Sequence, residues 1–134
     1  MATFVDTNVV VFAHDHGGGA KREIAQRLLL ESEDLVVSTQ VLAEFYWVVT
    51  RHLRPEVSPE QAWRATRQLG SLPVVATDAN LVLEAIETSQ RNRLALWDAL
   101  IVEAAVRGAC ERILTEDLSH GQTIRGVAIV DPFR

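Results

Sequence analysis

The chain reads as a three-layer α/β/α domain with a mostly parallel central sheet of about five short strands, and three observations carry that expectation. Short apolar, strand-like runs alternate with helical stretches along the whole length, a pattern that suits parallel strands covered on both faces. At 134 residues the chain can bury a real core but is too short for two, so residues 1–134 are taken as one domain. Hydrophobic residues make up 48% of it and charged residues 23%, which is a globular balance.

Thr3 to Val5 opens as a short buried strand, and a short helix follows, ending before the triplet His14-Asp15-His16. Gly17-Gly18-Gly19 is a flexible turn that lacks the spacing of a phosphate-binding loop. Residues 20–32 place Ile24, Leu28 and Leu29 on one helical stripe, and Asp34 to Val37 form the second strand. Residues 40–53 carry Val41, Leu42, Phe45, Val48 and Val49 on another stripe. Ser58-Pro59-Glu60-Gln61 is a capping-box start with proline at the first helical position, opening a helix to about Leu69. Pro73 to Ala76 gives a third strand, and Thr77 or Asp78 caps a helix bearing Leu81, Val82, Ala85 and Ile86. A last long helix runs from about Leu96 to Arg107 with Gly108 as its C-terminal cap. Arg112 to Leu114 and Val127 to Val130 complete the strands.

Several classes fall away. The longest apolar runs, such as Val9 to Ala13, reach about five residues, against roughly 20 for a bilayer span. Asp6 interrupts the first of them, so no secretory leader is expected. The single cysteine, Cys110, cannot form an intramolecular disulfide and suits a reducing cytoplasm as a buried packing thiol. The formal charge of −5 comes with twelve arginines and one lysine, Lys21. A nucleic-acid substrate would therefore need a bound cation or a local arginine pair, for which Arg51 with Arg54, Arg64 with Arg67 and Arg91 with Arg93 are candidates.

Four carboxylates concentrate the chemistry. Asp6 and Asp117 follow strand-like runs, at the edge where open α/β sheets bind ligands. Glu44 has Val41 and Val48 on its side of a helix, and Asp98 has Ile101, Val102 and Ala105, so both lean inward. Glu103 reads as an ordinary surface acid on the polar side. Isolated ionised carboxylates near a core cost several kcal/mol unless paired or given a cation. Oxygen-only ligands suit a hard ion such as Mg²⁺ or Mn²⁺. Taken singly, each acid is more often a cap or boundary salt bridge; Asp6 could begin an Asx-turn through Thr7 and Asn8.

The words themselves then resemble a known family. Phe4-Val5-Asp6-Thr7-Asn8, Ser38-Thr39-Gln40-Val41-Leu42-Ala43-Glu44-Phe45-Tyr46, Trp97-Asp98-Ala99-Leu100-Ile101, Thr115-Glu116-Asp117-Leu118-Ser119-His120-Gly121-Gln122 and Val130-Asp131-Pro132-Phe133 are similar to PIN-domain proteins, and more narrowly to VapC-type toxins. That resemblance implies a Mg²⁺-dependent ribonuclease, with Mn²⁺ as a substitute, that forms a homodimer and is silenced by a VapB-type antitoxin lying across the helical groove that leads to the acids. It gives Asp6, Glu44, Asp98 and Asp117 the metal-binding and catalytic places, and Thr7, Asn8, Thr115 and Glu116 supporting ones, with Glu116 the rival for the fourth acid. His14, Asp15 and His16 receive no role. Exposed aromatics, Trp47, Trp63 and Tyr46, are the candidates for an assembly surface.

Other classes fit less well. A phosphoacceptor receiver domain resembles this acid cluster but wants a late lysine, and the only lysine is Lys21. A haloacid-dehalogenase-like phosphatase wants a second acid two residues after the first, where Asn8 stands. Within the same fold, a housekeeping RNA-processing nuclease and a non-cleaving binding module remain the alternatives.

Overall fold

A computed structural model describes all 134 residues. The strands are β1 (Thr3–Val5), β2 (Leu35–Ser38), β3 (Val74–Val75), β4 (Arg112–Leu114), β5 (Thr123–Ile124) and β6 (Val127–Val130). The helices are α1 (Thr7–His14), α2 (Ala20–Glu31), α3 (Thr39–Arg51), α4 (Pro59–Leu69), α5 (Ala79–Asn92) and α6 (Leu96–Arg107). The sheet has six strands in the order β3-β2-β1-β4-β6-β5, one more than the sequence suggested. Every pairing is parallel except β5 with β6. The additional strand is the first arm of a hairpin whose two turn residues, Arg125 and Gly126, both have positive φ, at 53° and 78°. That geometry matches the twist of two-residue hairpins.

Helices α1 to α4 pack among themselves, while α5 pairs with α6 and α6 lies against β2, β4 and β6. The core between them includes Phe4, Val5, Val37, Phe45, Ile113, Leu114 and Ile129, all essentially inaccessible. Helix α6 is wrapped on all sides, with every residue from Ala99 to Ala105 buried. An apolar sequence around the whole circumference of a helix is what such a position requires. Ser38, Ser58 and Asp78 cap α3, α4 and α5 through side-chain acceptors. Gly108 follows α6 with ordinary negative φ, and the left-handed residue is Ala109 at φ 55°. Glycine suits that position by closeness instead: an added Cβ would stand 3.1 Å from Val36 and 3.2 Å from Val75, so those side chains would have to give by a few tenths of an ångström.

The order of strands fixes where a site can form. From β1 the chain steps outward to β2 and β3, then crosses back to β4 on the other side of β1. The connections above β1 and β4 therefore diverge, leaving a crevice at the carboxyl ends of these two strands. Their register pairs Val5 with Leu114, so Asp6 and Thr115 leave the sheet side by side. No helix is long and apolar enough to cross a membrane.

Candidate metal centre at the carboxyl edge of the sheet

Asp6 ends β1 and serves as the N-cap of α1, its Oδ1 accepting from the Thr7 backbone N–H at 2.7 Å. Its Oδ2 accepts from the Thr115 hydroxyl at 2.7 Å. That hydroxyl also accepts from the Asn8 side-chain amide at 3.3 Å and from the Asp117 backbone N–H at 3.1 Å. Thr115 is thus the knot that ties the end of β4 to the start of α1. The Thr7 hydroxyl donates to Glu44 Oε1 at 2.9 Å, drawing α3 to the same place. Thr7, Asn8, Glu44 and Asp117 line a cleft of about 580 Å³ with Val11, Phe12, Ala43, Trp47 and Val48.

Asp6 is only 5% exposed, and its carboxyl is pushed up from 3.8 to about 7. Burial is the main cause, with the negative charges of Asp117 and Glu44 adding to it against the two hydrogen bonds. Asp98 stands in the first turn of α6, whose N-cap Ala95 offers no side-chain acceptor. Its carboxyl too is held above the ordinary range, first by burial and then by Asp117. Asp117 is therefore the common neighbour, felt by Asp6 on one side and Asp98 on the other. Glu116, next to it, turns away into an ion pair with Lys21 at 2.9 Å.

Asp6 thus neighbours Asp117 and Glu44, and Asp98 neighbours Asp117, but the four acids do not close up. No group of three or more His, Cys, Asp or Glu side chains stands tightly enough to hold an ion as arranged. The charged neighbours that Asp6 feels, Asp117 and Glu44, are themselves acids. The donor set still fits a hard divalent cation. It is all oxygen, and the Asn8 Oδ1 beside it is buried with no hydrogen-bond partner.

The PIN domain family model matches residues 3–123. The chain belongs to the PIN-domain family. Solved structures with the same fold include VapC20 of Mycobacterium tuberculosis, described as a sarcin-ricin loop cleaving toxin, with a TM-score of 0.72 and 20% identity over 87% of this chain and 90% of that one. A toxin–antitoxin complex from Klebsiella pneumoniae gives a TM-score of 0.71 at 21% identity, covering 98% of each chain. DNA-bound VapBC from Salmonella typhimurium gives 0.67 at 19% identity, again over 98% of each. No curated protein matches the chain.

Away from the cleft, this PIN domain departs from the sequence reading at Glu103. It is no surface acid: it is 2% exposed, accepting from the Thr88 hydroxyl at 2.8 Å and from Arg125 through two bonds of 3.0 Å. A signal was available in the apolar run that flanks it, since every residue from Ala99 to Ala105 is buried. His14 ends α1 and packs edge-on against Phe45, with ring centroids 5.0 Å apart, while His16 lies exposed beyond it, so the triplet gathers no site. Cys110 is buried, as expected, and burial pushes its thiol up to about 11. Trp47, Trp63 and Trp97 are 53%, 56% and 64% exposed.

Proposed function

We propose that this PIN domain is the toxin of a type II toxin–antitoxin pair, a Mg²⁺-dependent endoribonuclease that a VapB-type antitoxin silences. The observation that carries it is Asp6: a buried carboxylate at the crevice of the sheet, with acids as its charged neighbours and no cationic side chain among them. Such a group is costly for a fold and useful to a cation site. Asp6, Glu44, Asp98 and Asp117 would hold the ion, Mg²⁺ or Mn²⁺. When bound, a divalent cation supplies acidified water and charge neutralisation on the phosphate oxygens.

The chain's own groups do the rest. Thr115 and the Thr7 backbone fix both oxygens of Asp6, so the carboxylate cannot swing with its load. The Thr7 hydroxyl holds Glu44 by Oε1, and Oε2 would be the oxygen left to contribute to a bound cation. Asn8 donates to the Thr115 hydroxyl, while its Oδ1 is buried without a partner beside these groups. Glu116 keeps its second-row place, occupied by Lys21. The similar VapC20 is described as a sarcin-ricin loop cleaving toxin, and similar complexes as VapBC or toxin–antitoxin assemblies, which supports the toxin reading and the partner.

The antitoxin would lie in the groove between α3 and α4, lined by Leu42, Ala43, Tyr46, Trp63 and Arg67, which shares Ala43 with the acid cleft. The same helical surface would join two copies into a homodimer, in the cytoplasm that the lone thiol suits. Incubation of the purified protein with single-stranded and structured RNA in Mg²⁺ tests the proposal. Cleavage that EDTA and Asp98→Asn both remove is expected; cleavage indifferent to both would refute the site.

A further inference from the structure

Helix α3 carries a second feature on the cleft side. Trp47 comes three residues after Glu44, about 4.5 Å further along the helix axis, and its indole lines the acid cleft while remaining 53% exposed. The guanidinium carbon of Arg51 lies 3.8 Å from the centre of that ring. Four of the twelve arginines are engaged by acids: Arg54 with Glu56, Arg64 with Glu60, Arg107 with Asp78 and Arg125 with Glu103. Arg51 belongs to none of these pairs and keeps its whole charge for what approaches the ring.

We propose that Trp47 and Arg51 form a stacking platform at the rim of the acid cleft that holds an unpaired nucleobase beside the phosphate to be cut. Three physical requirements meet there. A chain of charge −5 repels a polyanion over most of its surface, so a local cation next to the acids is needed to retain the strand. An aromatic face stacks with any base, which gives grip without sequence reading. An arginine lying on a tryptophan limits the motion of both and adds a cation–π contribution. The occupant must be single-stranded, because a base inside a duplex has its faces covered by its neighbours. Trp47 then serves substrate rather than assembly, leaving Trp63 in the neighbouring groove for the protein partner.

The platform deepens the nuclease reading, and two measurements keep them separable. The first is optical. In an Asp98→Asn background with Trp63→Phe and Trp97→Phe, Trp47 is the only indole, and its fluorescence is followed while a short oligoadenylate is added in Mg²⁺. Quenching by the single strand, several-fold weaker once the strand is paired with its complement, is the expected result. Absence of quenching, or equal quenching by the duplex, would overturn the platform. The second is kinetic, in the otherwise native chain. Trp47→Leu should raise KM for single-stranded RNA roughly tenfold with kcat within about twofold, as expected for loss of one stacked base. Trp47→Phe should recover most of that loss, and Arg51→Gln should raise KM and flatten its salt dependence. Unchanged KM in Trp47→Leu, with a dimer that now dissociates in light scattering, assigns the ring to a protein interface and overturns the platform. Quenching without any RNA cleavage upholds the platform and removes the nuclease reading instead.

Discussion

Asp6 and Glu103 are both buried carboxylates, 5% and 2% exposed. Glu103 has what a buried charge needs: a guanidinium donating from Nε and one Nη to its two oxygens, and a hydroxyl from α5. Asp6 has two hydrogen bonds of equal quality, yet its charged neighbours are Asp117 and Glu44. The first arrangement ties the β5–β6 hairpin to α6 and is complete. The second leaves the charge uncompensated, and a bound cation would complete it under the proposed reading. Burial alone thus does not distinguish a structural acid from a functional one; the sign of the surrounding charge does.

The comparison breaks first at activity. Asp6→Asn and Asp98→Asn should each lower Mg²⁺-dependent RNA cleavage by at least about a hundredfold, on the order of 3 kcal/mol of transition-state stabilisation, whereas Glu103→Gln should leave the cleavage rate of folded protein within a few-fold. Gel-based cleavage assays at matched folded concentration decide this; near-native turnover in Asp6→Asn would end the metal-site assignment.

Stability should respond in the reverse order. Glu103→Ala strips Arg125 and Thr88 of their shared acceptor and should destabilise the fold by about 2 kcal/mol, less than for a fully enclosed pair because Arg125 is half exposed. Urea unfolding measures it. Asp6→Asn should instead stabilise the metal-free protein at pH 8, by about 1 kcal/mol after allowing for the altered bond to Thr115. The sign follows from proton counting. Between 3.8 and about 7 the folded chain keeps a proton on Asp6 that the unfolded chain has released. Stability contributed by this group therefore falls as pH rises through that window, and the advantage of asparagine should shrink on going from pH 8 to pH 5. Thermal melts in EDTA at the two pH values would show it; a Tm that drops in Asp6→Asn at pH 8 favours a structural pairing.

The smallest effect separates neighbours. Asp117→Ala should need several-fold more Mg²⁺ for half-maximal thermal stabilisation and cleavage, and Glu116→Ala much less than that, since Glu116 is already held by Lys21. If the Glu116 variant proves the more demanding, the two acids exchange roles.

Much of this was readable in the chain. Strand ends and helix stripes follow from short-range periodicity, so β1, β4, α3 and α6, and with them Asp6, Asp117, Glu44 and Asp98, fell where the apolar patterns put them. The role of Thr115 as the common partner of Asp6, Asn8 and Asp117 depends on the pairing of β1 with β4 across the chain. No local pattern reports that pairing. Glu103 was misplaced for the same reason: its partner Arg125 sits in a turn 22 residues away. Strand β5, at two residues, is too short for alternation to register, and its turn uses Arg-Gly in place of the more familiar Asn-Gly.

The two ends of the sheet have a consequence for solubility and assembly. One outer strand, β3, has two residues and follows Pro73, which lacks a backbone N–H; the other, β5, also has two. Neither offers a ladder of unpaired backbone groups long enough for another chain to extend. Copies of this protein are thereby discouraged from adding edge to edge into a continuous sheet, and any association between them is steered to helix faces, where side chains rather than backbone select the partner.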